Sequence, residues 1–242
     1  MDLTHYYNFC PFSHRYDVLS RLRHIEKLIT ENTNYLLGTQ TEFNENRFNE
    51  EFELFGVINK IYHPDGDTLF KIKKLIYPIW LYKSIRMGNE SPVSFTRESF
   101  EYCRNKYRKY YNKNDNKYKL FLTRYNTQRN ITNFDNVHEF FKEQGFIILD
   151  GTENLETTIN YFYNSEMIVG IHGGLFSNLL FCNNVKRIIE IFPSKYYNCC
   201  FIDWNQHLNT NYKTLTFESD INNNINFDQN MLNEILEKMN IF

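Results

Sequence analysis

The chain has 242 residues and a formal net charge of -2, with 42% hydrophobic and 17% aromatic residues. This composition supplies a core for one large domain or two small lobes, and it argues against a chain that is mainly disordered. The near-zero charge gives no general basic field for nucleic acid, and the basic and aromatic run at residues 104–113 is typical of the solvated face of a helix. We therefore expect no nucleic-acid partner.

The cysteines and the amino terminus bear on the compartment. The five cysteines form no CxxC pair, and the vicinal residues Cys199 and Cys200 cannot easily bridge each other, which favours reduced thiols. The first residues show no basic region followed by an apolar stretch, and no apolar run approaches the roughly 18 residues of a membrane span. We expect a cytoplasmic protein without signal peptide, anchor or membrane span.

Apolar spacing and turn residues predict three helices and three strands in the N-terminal half. The polar segment 112–117 reads as a linker. We therefore place a lobe boundary there, between an N-terminal lobe at residues 1–113 and a C-terminal lobe at residues 118–242. The first lobe is short for a complete doubly wound domain. The predicted elements are helix Arg15–Ile29, strand Tyr35–Leu37, helix Phe48–Phe55, strand Val57–Tyr62, strand Leu69–Ile76 and helix Phe95–Tyr110.

In the C-terminal half, predicted strands and helices alternate without a hairpin signal. This order favours an α/β fold with a parallel sheet. Asn133 is the expected N-cap of the first helix, and Gly145 is its expected end. The predicted elements are strand Lys119–Thr123, helix Phe134–Glu143, strand Phe146–Leu149, helix Leu155–Asn164, strand Met167–Ile171, helix Leu175–Phe181 and strand Arg187–Ile191.

The most informative segment is the turn between the strand Met167–Ile171 and the helix that follows. Its glycines allow a ligand to approach the main chain, and the N–H groups at a helix N-terminus favour phosphate oxygens. The histidine of the turn could donate to a pyrophosphate, although a structural turn capped by histidine would show the same pattern. The candidate residues of this phosphate turn are Gly170, His172, Gly173, Gly174, Ser177 and Asn178.

Three charged residues are expected near the same turn. Glu190 lies within the apolar strand Arg187–Ile191, where a carboxylate is costly to bury unless it is paired or faces a cleft. It could accept hydrogen bonds from ribose hydroxyls, or it could form a structural salt bridge. Arg124 and Arg129 follow an earlier strand at the same sheet edge, and guanidinium groups suit a leaving diphosphate.

These segments together resemble the signature of glycosyltransferase family 61. The segments are Arg124-x4-Arg129 followed by Asn133, Gly170-x-His-Gly173, Ser177-Asn-Leu-Leu-Phe181 and Ile189-Glu-Ile-Phe-Pro193. The resemblance implies a GT-B-like fold of two Rossmann-like lobes, here with a shortened N-terminal lobe. It implies that residues 1–113 form the acceptor-side lobe and residues 118–242 the nucleotide-sugar-binding lobe. It also implies a UDP-sugar donor, inversion at the anomeric carbon and no obligatory metal or cofactor.

The chain departs from the family pattern at three places. Leu175 stands in the glycine turn where the family usually has glycine. Phe134 follows Asn133 where the family has an acidic residue, and Asp135 comes one place later. The segment His5-Tyr-Tyr-Asn8 resembles a family segment with its histidine and asparagine exchanged.

The resemblance implies that the chain transfers a sugar to a protein or glycan hydroxyl, with His172 and Arg124 in catalysis. A catalytically inactive nucleotide-sugar-binding or protein-interaction module remains the alternative. A partner, or a missing N-terminal segment, could complete the site. The spacing Asp65-Gly66-Asp67 reads as a turn, so we expect no metal site. The base for the acceptor hydroxyl stays open among His5, His14, Asp17, Asp203 and His207.

Overall fold

A computed structural model describes residues 19–38, 45–63, 71, 74, 96–124, 129–198 and 200–240. The chain divides into two compact units, one formed by residues 1–83 and 95–109 and the other by residues 84–94 and 110–242. Within the described residues, no helix is both long and apolar enough to cross a membrane.

The first unit contains a parallel pair of strands, β1 (Asn34–Gly38) and β2 (Asn59–His63). Helix α1 (Glu45–Leu54) precedes β2 and ends before Gly56, whose φ of 80° is a conformation that favours glycine. Helix α2 (Arg97–Lys106) begins at Thr96, whose side chain accepts a hydrogen bond from the N–H of Ser99.

The first unit differs from the sequence prediction in one helix, and one predicted strand lies largely outside the described residues. The segment predicted as helix Arg15–Ile29 forms short 3-10 helices at Leu19–His24 and Glu26–Leu28 in its described part, so the prediction of one continuous α-helix was wrong there. Leu19 and Leu22 are nevertheless completely buried, as the apolar spacing predicted. The predicted strand Leu69–Ile76 lies outside the described residues, apart from residues 71 and 74.

The second unit is built on a five-stranded, wholly parallel sheet with the strand order β4-β3-β5-β6-β7. This confirms the predicted α/β class and parallel sheet. Helices and 3-10 turns connect the strands. The strands are β3 (Tyr118–Leu122), β4 (Phe146–Leu149), β5 (Ser165–Ile171), β6 (Arg187–Pro193) and β7 (Asn211–Phe217); the helices are α3 (Phe134–Glu143), α4 (Leu155–Tyr163), α5 (Asn205–Leu208) and α6 (Gln229–Asn240).

The two faces of this sheet have different roles. One face packs its apolar side chains, among them Phe121, Val169 and Ile189, against α3 and α6. Because side chains alternate along a strand, the intervening residues point to the other face, near α4 and the 3-10 helix Gly174–Phe181. Gly170 and Glu190 are paired in the register and belong to this second face.

Two local predictions in the second unit were wrong in detail. Asn133 precedes α3, but its side chain makes no capping bond and instead donates to Phe227 O (2.7 Å) and accepts from Phe227 N (3.0 Å). This pairing ties the start of α3 to the segment before α6. The segment predicted as helix Leu175–Phe181 is a 3-10 helix that begins at Gly174, and its residues from Phe176 onward are completely buried.

Candidate active site

The candidate site lies at the carboxyl edge of the parallel sheet, where β3 and β5 end beside β6. Arg124 comes two residues after the end of β3, and His172 directly follows β5. The N–H of His172 donates to Ile191 O (2.8 Å), so the pairing of β5 with β6 continues into the glycine turn. Open α/β sheets bind their ligands at this edge, at loops that follow the strands.

A buried hydrogen-bond chain links β5, β6 and β7. Glu190 is completely buried, and its two carboxylate oxygens have different donors: His172 Nδ1 lies 2.6 Å from Oε1, and the Tyr212 hydroxyl donates to Oε2 over 2.6 Å. Burial and the neighbouring carboxylate raise the pKa of Tyr212 well above its ordinary value of 10.0, so the phenol remains a donor. Because Nδ1 faces Glu190, Nε2 is the ring nitrogen left for a ligand.

Aromatic rings hold the imidazole of His172 on its other sides. It stacks on Phe192 with a centroid separation of 4.9 Å and lies 5.6 Å from Tyr196 and 5.5 Å from Phe201. Only 3% of His172 is exposed. Since the ring is packed and its Nδ1 is hydrogen bonded, the side chain is fixed in orientation before any ligand binds.

Arg124 occupies a notch beside the glycine turn. Its Nη1 donates to the main-chain oxygen of His172 (3.3 Å) and lies only 1.9 Å from the position that a Cβ on Gly173 would take. Burial, followed by repulsion from Arg129, lowers the pKa of Arg124 from 12.5 to about 10, and Tyr196 partly opposes the shift. The guanidinium therefore remains a cation at neutral pH, in a place where a second cation is close.

Arg129 supplies that second cation. Its backbone has a φ of 61°, which is uncommon for a residue other than glycine. Its guanidinium carbon lies 4.3 Å from the centroid of the Tyr196 ring, a cation–π geometry. Its Nε is buried and has no hydrogen-bond partner among the described residues. The two arginines thus form a cationic pair at the sheet edge.

The glycines of the turn serve different purposes. A Cβ on Gly170 would lie 2.6 Å from the main-chain oxygen of Leu122, so this glycine allows β5 to approach β3 closely. Gly174 begins the 3-10 helix. The side chain of Leu175, the residue that departs from the family pattern, covers Gly151 in the loop after β4, with its Cδ2 3.0 Å from the position of a Cβ there.

The predicted ligand residues differ in how accessible they are. Ser177 and Asn178 are both completely buried, so their side chains do not reach the surface of the site. Arg124, Arg129, Gly174 and Tyr196 are half-buried and form the accessible rim.

Sequence reasoning missed three residues at or near the site. Thr123 is 1% exposed, and its Oγ1 has no hydrogen-bond partner in the described part of the chain. Tyr196 and Tyr212 contact the predicted residues directly. A usable signal existed for Tyr196, because it follows the carboxyl end of β6 by three residues and so reaches the same sheet edge. Tyr212 lies on a strand that the sequence did not reveal.

The candidates for the base that would deprotonate the acceptor hydroxyl lie in other parts of the chain. His5, His14 and Asp17 lie outside the described residues, as does the segment Asp65–Asp67. His207 is half-buried on α5. Among the residues that the structure describes, no group of three or more His, Cys, Asp or Glu side chains could hold a metal ion.

Comparison with known proteins gives the family. The family model described as Glycosyltransferase 61 matches residues 12–189, a span that contains Arg124, Arg129 and His172 and ends one residue before Glu190. No curated protein matches the chain. The match covers most of the chain and confirms the resemblance, and the family implies a nucleotide-sugar donor and an acceptor. The chain therefore belongs to the glycosyltransferase 61 family and is a glycosyltransferase.

Proposed function

We propose that this protein transfers a sugar from a UDP-sugar to a hydroxyl group of a protein or glycan, with inversion and without a metal ion. The observation that carries the proposal is the cationic pair Arg124 and Arg129 beside the glycine turn. The nature of the acceptor and the inversion come from the family, whereas the donor site rests on these contacts.

The charge of the pair suits a diphosphate. Two cations are held at a half-buried edge, where burial, followed by repulsion from Arg129, lowers the pKa of Arg124. A ligand with adjacent negative charges would relieve this repulsion and would also satisfy Arg129 Nε. Cations placed where the leaving UDP develops negative charge stabilise the transition state, which is the task that a metal ion performs in other transferases. The pair therefore supports metal-independent transfer.

In this proposal His172 would contact the donor through Nε2, since Nδ1 is held by Glu190. We no longer propose that Glu190 binds ribose hydroxyls, because its two carboxylate oxygens already bond to His172 and Tyr212. We propose that Glu190 orients His172. A buried carboxylate next to a histidine fixes both the tautomer and the direction of the ring, as carboxylates do in hydrolase triads.

In this proposal the main chain of the glycine turn also contacts the donor. We propose that the N–H groups at Gly173 and Gly174 approach the diphosphate. Gly170, Ser177 and Asn178 would shape the turn from within, since Gly170 allows the close strand contact and the two polar residues are buried.

We also propose the two-lobe GT-B arrangement, with residues 1–113 on the acceptor side and residues 118–242 binding the nucleotide sugar. The support is a parallel sheet with a site at its carboxyl edge in the second unit and a parallel strand pair in the first. A cytoplasmic location is part of the proposal. A partner chain that contributes to the acceptor side is also part of the proposal.

Differential scanning fluorimetry with a panel of nucleotide sugars tests the donor site. UDP and one UDP-sugar should raise the melting temperature, since a ligand at about 100 times its dissociation constant adds about 2.7 kcal/mol to the free energy of unfolding. Transfer or slow hydrolysis of the same UDP-sugar, measured as released UDP with and without EDTA, tests the reaction. A strict need for Mn²⁺ would contradict metal-independent transfer, and binding without turnover would favour the inactive module.

Arg124→Gln and Arg129→Gln are the matched variants, and Arg108→Gln is the control because Arg108 is exposed on the other unit. Both site variants should lose most of the UDP-induced shift, and the control should keep it. Equal shifts in all three folded variants would refute the site.

A further inference from the structure

Arg129 is held in an unusual way for a cation at a binding site. Its guanidinium lies over the Tyr196 ring, and within the described part of the chain it has no carboxylate partner. Its left-handed backbone is an unfavourable conformation for a residue other than glycine, so a tertiary contact must fix it.

Tyr196 is itself firmly placed. Its N–H donates to Pro193 O (3.0 Å), which makes a turn directly after β6, and its ring lies near the imidazole of His172. The ring therefore has a fixed position relative to the glycine turn. Through this ring the guanidinium of Arg129 is held at a fixed position relative to the end of β6.

The kind of side chain that contacts Arg129 determines whether its charge remains available to a ligand. A carboxylate would hold Arg129 more strongly but would cancel the charge that a diphosphate needs. An aromatic face attracts the cation through its quadrupole and leaves the guanidinium N–H groups charged and available. It also keeps Arg129 close to Arg124, although the two cations repel each other.

We infer that Tyr196 is a positioning residue that holds Arg129 through the face of its ring, ready for the diphosphate of the donor. The identity of the ligand as a UDP-sugar rests on the proposed function. The anion site can be tested without that assumption, because inorganic pyrophosphate presents the same adjacent charges without the nucleoside.

The test compares two substitutions of the same ring, with affinities for UDP and pyrophosphate measured by isothermal titration calorimetry. Tyr196→Phe keeps the aromatic face and should bind both ligands within about twofold of the wild type. Tyr196→Leu removes the face and should bind both about fivefold to thirtyfold more weakly. Tyr197→Leu is the control, since this neighbouring tyrosine is 60% exposed and its ring lies tilted beside Phe192; the affinities of this variant should stay unchanged.

A double-mutant cycle with Arg129→Gln separates positioning from a general structural effect. If Tyr196 acts through Arg129, Tyr196→Leu should have no further effect once Arg129 is glutamine. An equal loss in both backgrounds would overturn the inference, because it would mean that Tyr196 contacts the ligand itself or supports the fold. Equal affinity of Tyr196→Leu and the wild type would also overturn it.

Ligand binding by the wild-type protein separates a failure of this inference from a failure of the proposed function. Binding of pyrophosphate but not UDP would refute the UDP-sugar donor, and the cycle would still decide the role of Tyr196 with pyrophosphate as the probe. Binding of neither ligand would overturn both statements, since the cationic pair would then be no anion site.

Discussion

The guanidinium of Arg124 fills the space that a side chain on Gly173 would need. Its Nη1 lies 1.9 Å from the position of a Cβ there, whereas Gly173 itself has an extended φ of 172° that any residue can adopt. The glycine is therefore required by its arginine neighbour and not by its own backbone. This relationship allows the site to be disturbed without disturbing the sheet.

We predict that Gly173→Ala damages binding far more than stability. The displaced atom is the far end of a flexible side chain, so the free energy of unfolding should change by less than about 1 kcal/mol. UDP affinity should fall by roughly 10-fold to 100-fold, as for loss of a charged hydrogen bond. Chemical denaturation and calorimetry check the two effects. Gly170→Ala is the contrasting variant: its Cβ would meet the Leu122 backbone, so it should lose stability by about 1–3 kcal/mol.

Glu190→Gln should reduce turnover while leaving the fold intact. The amide keeps the shape of the side chain but removes the negative charge that orients Nδ1 of His172. We expect kcat to fall about 10-fold to 100-fold, equivalent to roughly 1.4–2.8 kcal/mol, with a smaller change in KM. Steady-state kinetics provide the measurement. Glu139→Gln on the exposed surface of α3 is the control, and an equal effect in both would count against an orienting role.

Tyr212→Phe should lower stability and alter its dependence on pH. Removing the donor to a buried carboxylate should cost about 1–3 kcal/mol near neutral pH. The pKa of Tyr212 is raised well above 10.0 in the folded state, so in wild-type protein the unfolded chain ionises first as the pH rises. The contribution of Tyr212 is thus complete below pH 10 and is lost above it. Urea unfolding from pH 8 to 11 should show the two proteins converging; a constant difference would contradict this account.

UDP binding should weaken in alkaline solution. Burial and Arg129 lower the pKa of Arg124 to about 10, and a diphosphate binds the cationic form. Affinity should be steady up to about one unit below that value and should fall as the pH rises through it. Titration calorimetry over this range, with Arg124→Gln as the reference, isolates the contribution of Arg124. The variant should bind weakly throughout, and a parallel decline in it would assign the effect to another group.

Much of the second unit was predictable from local patterns. Strand Phe146–Leu149 and helix Phe134–Glu143 have the bounds that the apolar runs and Gly145 predicted, and the alternation of elements predicted the parallel sheet. β7 was missed because its exposed positions are polar and it lies at the edge of the sheet, where an apolar run is not required. Tyr212, the second partner of Glu190, was missed with it.

The sequence predicted several residues of the candidate site but not their contacts, and it missed Thr123, Tyr196 and Tyr212. The predicted parallel sheet brought Arg124, His172 and Glu190 toward one edge. Local sequence patterns did not reveal which atoms would meet, because the bond between His172 and Glu190 depends on the register of β5 against β6. For the same reason Glu190 was expected to face a ribose, whereas the structure encloses it.

That register has a consequence for how the protein can be checked after folding. Gly170 pairs with Glu190, and Glu190 pairs with Thr214, two residues after Tyr212. A shift of β6 by one residue would turn Glu190 to the opposite face and leave His172 and Tyr212 without their acceptor. A misregistered sheet could keep its secondary structure yet have no His172–Glu190 bond. A downfield imidazole proton resonance, or UDP binding itself, would therefore report correct strand alignment in refolded preparations that circular dichroism cannot distinguish.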